Sequence, residues 1–122
     1  MEGITQEIKD DVIINKVDLL RATINEAFEL RYLLDEQIAI GYSKIVVDLS
    51  QCTHLDTIFI GVLVATHKKL LAKGEELYIV NMLDPAKELL FQLTGISRVL
   101  NTFETTEDAV TSFRNKRVAW DF

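Results

Sequence analysis

The chain has 122 residues, 48% hydrophobic and 26% charged, with five glycines and one proline, a balance that excludes intrinsic disorder and collagen-like repeats. A chain of this size removes roughly two-thirds of its unfolded surface from water, enough for one core without metal or disulfide staples. The formal charge of −6 repels phosphate backbones and anionic lipid heads, which argues against nucleic acid and membrane surfaces as partners.

No repeat, low-complexity stretch or Pro/Gly-rich linker divides the sequence, so its elements are read as one run. Val12-Ile13-Ile14 reads as a short strand, paired with Ile4 to Ile8 across the polar turn Lys9-Asp10-Asp11. Thr23-Ile24-Asn25-Glu26 has the spacing of a capping box, in which hydroxyl and carboxylate each satisfy a free N–H at a helix start. The helix should run to about Ile40 and stop at Gly41, with Ile24, Ala27, Phe28, Leu34 and Ile38 facing the core. Leu30, Tyr32 and Leu33 fall outside that stripe as further core or as an interface.

Lys44 to Leu49 is a short β-branched run that fits a central strand covered on both faces, and Leu77 to Val80 repeats the pattern. Between them Thr57 to Lys73 reads as a helix, with Lys68, Lys69 and Lys73 at its negative end and Gly74 as the stop. Its apolar stretch from Ile58 to Ala65 is far shorter than the ~20 residues that span a bilayer, so it is core. Gly61, inside this helix, predicts a close approach to the sheet. Asp84-Pro85 opens a third helix through Thr94, stopped by Gly95. Val99 to Phe103 reads as the last strand, and Thr105-Thr106-Glu107-Asp108 starts a final helix ending near Arg114, Lys116 and Arg117. Strand–helix–strand alternation makes this an α/β domain, a mixed and mostly parallel β-sheet with an antiparallel N-terminal edge and about four helices.

From Lys44 onward the sequence is more specific. The string Ile45-Val46-Val47-Asp48-Leu49-Ser50, then Leu55-Asp56-Thr57-Ile58-Phe59-Ile60-Gly61, resembles the core of the STAS domain family, the anti-sigma-factor antagonists of bacterial partner-switching systems. In that family a strand ending in Asp-Leu-Ser is followed by Asp-Ser-Ser-Gly-Leu-Gly. Gly74 before Leu77 to Val80, Leu93-Thr94-Gly95-Ile96 beside the family's Leu-Thr-Gly-Leu, and Val99 to Phe103 before Thr106 to Ala109 extend the likeness in order. It covers about residues 4–113, leaving 114–122 as a C-terminal extension of a single domain.

The resemblance implies a cytoplasmic, bacterial regulator of transcription that works by protein–protein interaction, with no cofactor and no catalytic or metal-binding residue. Its expected partner is an anti-sigma factor or serine-threonine protein kinase, bound when the family's switch residue is unphosphorylated and released when it is phosphorylated; a homodimer is also compatible. The physical basis is direct: a phosphate brings about −1.5 to −2 charge to a helix N-terminus, where it is tolerated, and spoils a surface fitted to a neutral hydroxyl. By register Asp56 matches the family's Asp and Thr57 its first hydroxyl residue, while Ile58 takes the usual acceptor position and Phe59 that of the next Gly. Thr57 is therefore the candidate phosphorylation site and Asp56, Thr57, Ile58, Phe59, Ile60 and Gly61 the partner-binding segment. The plainer reading gives Thr57 or Asp56 only a capping role. The family's Gly-x-x-Asp turn before the first helix has no match at Leu19-Leu20-Arg21-Ala22, and Asp18 is a loose substitute.

Other features point less far. Cys52 is the only cysteine and excludes an intramolecular disulfide, while Met1 to Thr5 lacks the basic-then-apolar character of a signal peptide, both in keeping with a cytoplasmic location. Cys52, His54 and Asp56 alternate along an extended stretch, but side chains at i and i+2 diverge, and Cys52 reads better as a small buried hydrophobe than as a ligand or nucleophile. His67 before Lys68-Lys69 reads as a solvated or half-buried helix residue. Trp120 and Phe122 are expected to pack back on the domain, with anchoring of a second subunit as the alternative. Against the leading reading stand a STAS subunit of a multiprotein or transport complex that is never phosphorylated, a small-ligand binder using the same helix start, and an enzyme using Cys52 and His54.

Overall fold

The computed structural model describes residues 3–18, 21–22, 24–52, 54–81 and 85–119. Strands β1 (Ile4–Lys9) and β2 (Val12–Val17) form the expected antiparallel hairpin. Asp10 and Asp11 both adopt positive φ, 49° and 63°, the pairing that gives a two-residue turn the twist of its flanking strands. After the two-residue strand β3 (Arg21–Ala22) comes α1 (Ile24–Ala39), followed by Gly41 at φ 111°. The proposed caps Thr23 and Asp84, the Leu19-Leu20 segment and the aromatics Trp120 and Phe122 lie outside the described residues.

Strand β4 (Ile45–Asp48) is followed by the two-residue β5 (His54–Leu55), helix α2 (Thr57–Leu71) and strand β6 (Leu77–Val80). Helix α3 (Pro85–Thr94), the single turn α4 (Ile96–Val99), strand β7 (Asn101–Phe103) and helix α5 (Thr106–Ala119) complete the chain. The five-stranded sheet has the order β1-β2-β4-β6-β7. Every pair after the hairpin is parallel, and β4 and β6, the two runs read as covered strands, are neighbours. A second, two-stranded parallel sheet joins β3 to β5; two residues carry no periodicity, so sequence patterning could not find it.

Alternation along the strands sends side chains to two faces. On one, Ile13, Val17, Ile45, Val47, Leu77 and Ile79 pack with α1, α2, Phe91, Ile96 and Leu100. On the other, Val12, Ile14, Val46, Tyr78 and Val80 pack with Ala109, Val110 and Phe113 of α5. The Tyr78 and Phe113 rings stack with centroids 3.9 Å apart. One polar pair sits inside the first face: Asn15 Nδ2 donates to Gln37 Oε1 at 2.9 Å, and Gln37 Nε2 donates back to Asn15 Oδ1 at 2.6 Å. The reciprocal bonds satisfy two buried amides and tie β2 to α1.

Three expectations about the elements are corrected. In α1 it is Leu30 that is fully buried, whereas Phe28 is 62% exposed; both were legible as apolar, but the helix phase is set by Ala27, Leu30, Leu34 and Ile38, a run at i+3 and i+4 that leaves Phe28 outward. Tyr32 is exposed and Leu33 packs partly against the core. The last strand begins at Asn101 rather than Val99, because Gly95 at φ 73° lets the chain start a further helical turn at once, burying Ile96 and Leu100. Gly61 lies on the exposed side of α2, where an added Cβ would meet nothing within 4 Å, so close packing does not explain it.

Candidate functional site

The stretch from β4 to α2 is held by its own polar atoms. Asp48, buried at the end of β4, accepts hydrogen bonds from the Ser50 N–H at 2.9 Å and the Ser50 hydroxyl at 2.6 Å, a local turn that directs the chain out of the sheet. The Leu49 carbonyl accepts from the Cys52 N–H at 3.0 Å and from the Lys87 ammonium of α3 at 2.9 Å. Cys52 is fully buried, its thiol 3.7 Å from the Val17 carbonyl, while His54 is exposed. Burial thus puts the thiol and the imidazole in different surroundings. Among the described residues no group of three or more His, Cys, Asp or Glu side chains is placed to hold a metal ion.

Asp56 is the N-cap of α2, with extended backbone (φ −104°, ψ 170°) and a carboxylate accepting from the Phe59 N–H at 2.9 Å. Capping thus falls to Asp56 and leaves the Thr57 side chain exposed at the first helical position. The residues that follow divide by face. Ile58 is 47% exposed and Gly61 is exposed, whereas Phe59 and Ile60, expected in a partner-binding segment, are core residues fixing the helix to the sheet. The surface offered at the helix start is therefore Asp56, Thr57, Ile58 and Gly61. Its electrostatics are simple: the first turn has no acidic residue beyond the capping carboxylate, and Lys68 and Lys69 occupy the last turn.

Two residues were misread or missed. His67 is buried, not solvated, and its Nδ1 accepts from the Leu77 N–H at 3.3 Å, linking α2 to the first residue of β6. Burial lowers its pKa from 6.5, with Glu76 pulling weakly the other way. Lys87 is also buried. A signal for it existed, since a lysine in the first turn of a helix opposes the macrodipole and calls for a partner beyond the helix.

A model of the STAS domain family matches residues 5–109, most of the chain and all of this site. The chain belongs to the STAS domain family. A Thermotoga maritima protein named as a candidate anti-sigma factor antagonist is 26% identical over 110 residues, which are 90% of this chain and 96% of that one. The crystal structure of a Thermotoga maritima protein of the same description superposes with a TM-score of 0.81 at 26% identity, covering 93% of this chain and 96% of the other. An anti-sigma factor antagonist from Mycobacterium paratuberculosis also gives a TM-score of 0.81 at 26% identity, covering 91% of this chain and 92% of its own. The Bacillus cell fate determinant SpoIIAA in its phosphorylated form shares the fold, with a TM-score of 0.68 at 16% identity over 90% of this chain and 98% of that one. This STAS domain thus resembles anti-sigma factor antagonists in both sequence and fold, and among its described residues no helix is long and apolar enough to cross a membrane.

Proposed function

We propose that this STAS domain is a non-catalytic regulator of the anti-sigma factor antagonist type, acting in a bacterial cytoplasm by docking an anti-sigma factor or serine-threonine kinase on the start of α2. The observation that carries the reading is the division of that helix: Asp56 holds the cap, Phe59 and Ile60 anchor the helix in the core, and Thr57, Ile58 and Gly61 remain facing out. A surface held from behind in this way presents its contact residues without ordering cost on binding. Thr57 is the candidate phosphorylation site. A phosphate there gains from the helix N-terminus, is opposed by the neighbouring Asp56 carboxylate, and adds charge beside the exposed Ile58, so that an apolar partner pocket is repelled.

A second reading rests on one residue. Ile58, 47% exposed at the position where the family carries its usual acceptor hydroxyl, fits a permanently unphosphorylated STAS subunit of a larger assembly. Phosphopeptide mass spectrometry of the protein from its native cells, with partner titrations of Thr57→Ala and Thr57→Glu, separates the two. The switch reading expects modified Thr57 in the wild type, retained binding in Thr57→Ala and loss in Thr57→Glu. Absence of modification across growth conditions selects the second.

A further inference from the structure

At the end of the sheet where β2 and β4 begin, opposite the start of α2, lies an open cavity of about 390 Å³. Its lining is Asp11 of the hairpin turn with Ile40, Gly41, Tyr42 and Ser43, which lead from α1 into β4. Backbone bonds fix this loop: the Ile40 N–H donates to Glu36 O at 3.0 Å, the Gly41 N–H to Ile38 O at 3.1 Å and the Tyr42 N–H to Gln37 O at 3.0 Å. Ile40 is thereby held outward with 70% of its surface exposed, while Tyr42 packs partly against the core. A large aliphatic side chain held in water at a concave, preformed site is a seat for a second apolar group.

Helix α5 is aimed at the same place. It starts beyond the end of β7 and crosses the second face of the sheet, and Arg114 donates to Asp10 Oδ2, next to Asp11. From Arg114, residues 115–119 carry the helix about 7 Å farther, at ~1.5 Å per residue, to its end at Ala119. Trp120-Asp121-Phe122 come next and span about 10 Å when extended. An extended stretch puts Trp120 and Phe122 on one side and Asp121 on the other, so the segment has an apolar face. An indole ring buries ~150–250 Å² and needs an acceptor for its N–H. The cavity supplies Ile40 and Tyr42 for the ring and the Asp11 carboxylate for the N–H, a group that accepts several hydrogen bonds and so keeps Lys44 at 2.9 Å. We propose that Trp120-Asp121-Phe122 straps this end of its own molecule, with the Trp120 ring seated in the cavity against Ile40 and Tyr42. The strap does not depend on the reading of the α2 surface.

Trp120 is the only tryptophan, so its selectively excited fluorescence reports on this segment alone. In the full chain its emission should lie to the blue of the urea-unfolded protein, be shielded from acrylamide and stay constant on serial dilution. Ile40→Asp should move the emission to the unfolded value and open the ring to the quencher. Phe28→Asp, an exposed position near the other end of α1, should change neither. Circular dichroism checks that both variants fold, and if Ile40→Asp does not, the Ile40 methyl resonances of the wild type decide: Trp120→Ala should remove an upfield ring-current shift from them. Unfolded-like emission in the wild type, blue emission that survives in folded Ile40→Asp, or Ile40 methyls unmoved by Trp120→Ala would overturn the strap. Emission that shifts to the red on dilution would overturn it in favour of a contact between two copies.

Discussion

Single residues in this domain are explained by what surrounds them more than by their type. Gly61 has helical surroundings, open space where a Cβ would go and no positive φ, so Gly61→Ala should stabilise the fold by about 0.5–1 kcal/mol through the entropy of the unfolded chain. Urea unfolding measures the gain. An equal or lower midpoint would mean that the bare backbone is needed in the fold, whereas a gain in stability with weaker partner binding would mark Gly61 as kept for the partner's approach. His67 gives a pH prediction. Its folded pKa lies below 6.5, so the unfolded chain binds the proton more readily, and stability is highest above 6.5 and falls as pH drops below that value toward the lowered pKa. Melting temperatures taken from neutral pH downward should show this decline, and His67→Gln should flatten it; an unchanged slope in the variant would assign the decline to other groups.

At the scale of elements, α1 separates apolar character from burial. Leu30 has no exposed surface and Phe28 is 62% exposed, so Leu30→Ala should cost about 2–5 kcal/mol, while Phe28→Ala should fall within about 0.5 kcal/mol of the wild type. Chemical denaturation of the two variants side by side checks the assignment, and a costly Phe28→Ala would show that the aromatic ring covers more of the domain than its exposure implies. Helix α2 shows the same principle at the candidate site. Its apolar run Ile58 to Ala65 was legible as core, yet the outward turn of Ile58 and Gly61 was not, since in an almost uniformly apolar stretch polarity does not mark the buried side.

For the whole molecule, the sheet has a core on each face, and the two share every central strand. Loss of packing on the α5 side should therefore unfold everything at once. Phe113→Ala, which removes the ring stacked on Tyr78, should cost about 3–5 kcal/mol and keep a single transition, with far-ultraviolet circular dichroism and tyrosine fluorescence coinciding. Two separated transitions would show that α5 is an independently lost cover.

The sequence by itself determined the order of the main elements, the opening hairpin, the central strands Ile45 to Asp48 and Leu77 to Val80, and the likeness to the STAS family. These depend on local patterns: β-branched runs, turn residues at strand ends, and motifs in a fixed order. Only the tertiary structure decided the β3–β5 pairing, the burial of His67 and Lys87, the reciprocal Asn15–Gln37 bonds and the division of α2 into core and surface. Each of these is a choice between partners far apart in the chain, and a polar side chain in a helix reads the same in sequence whether water or a distant backbone atom receives its hydrogen bond.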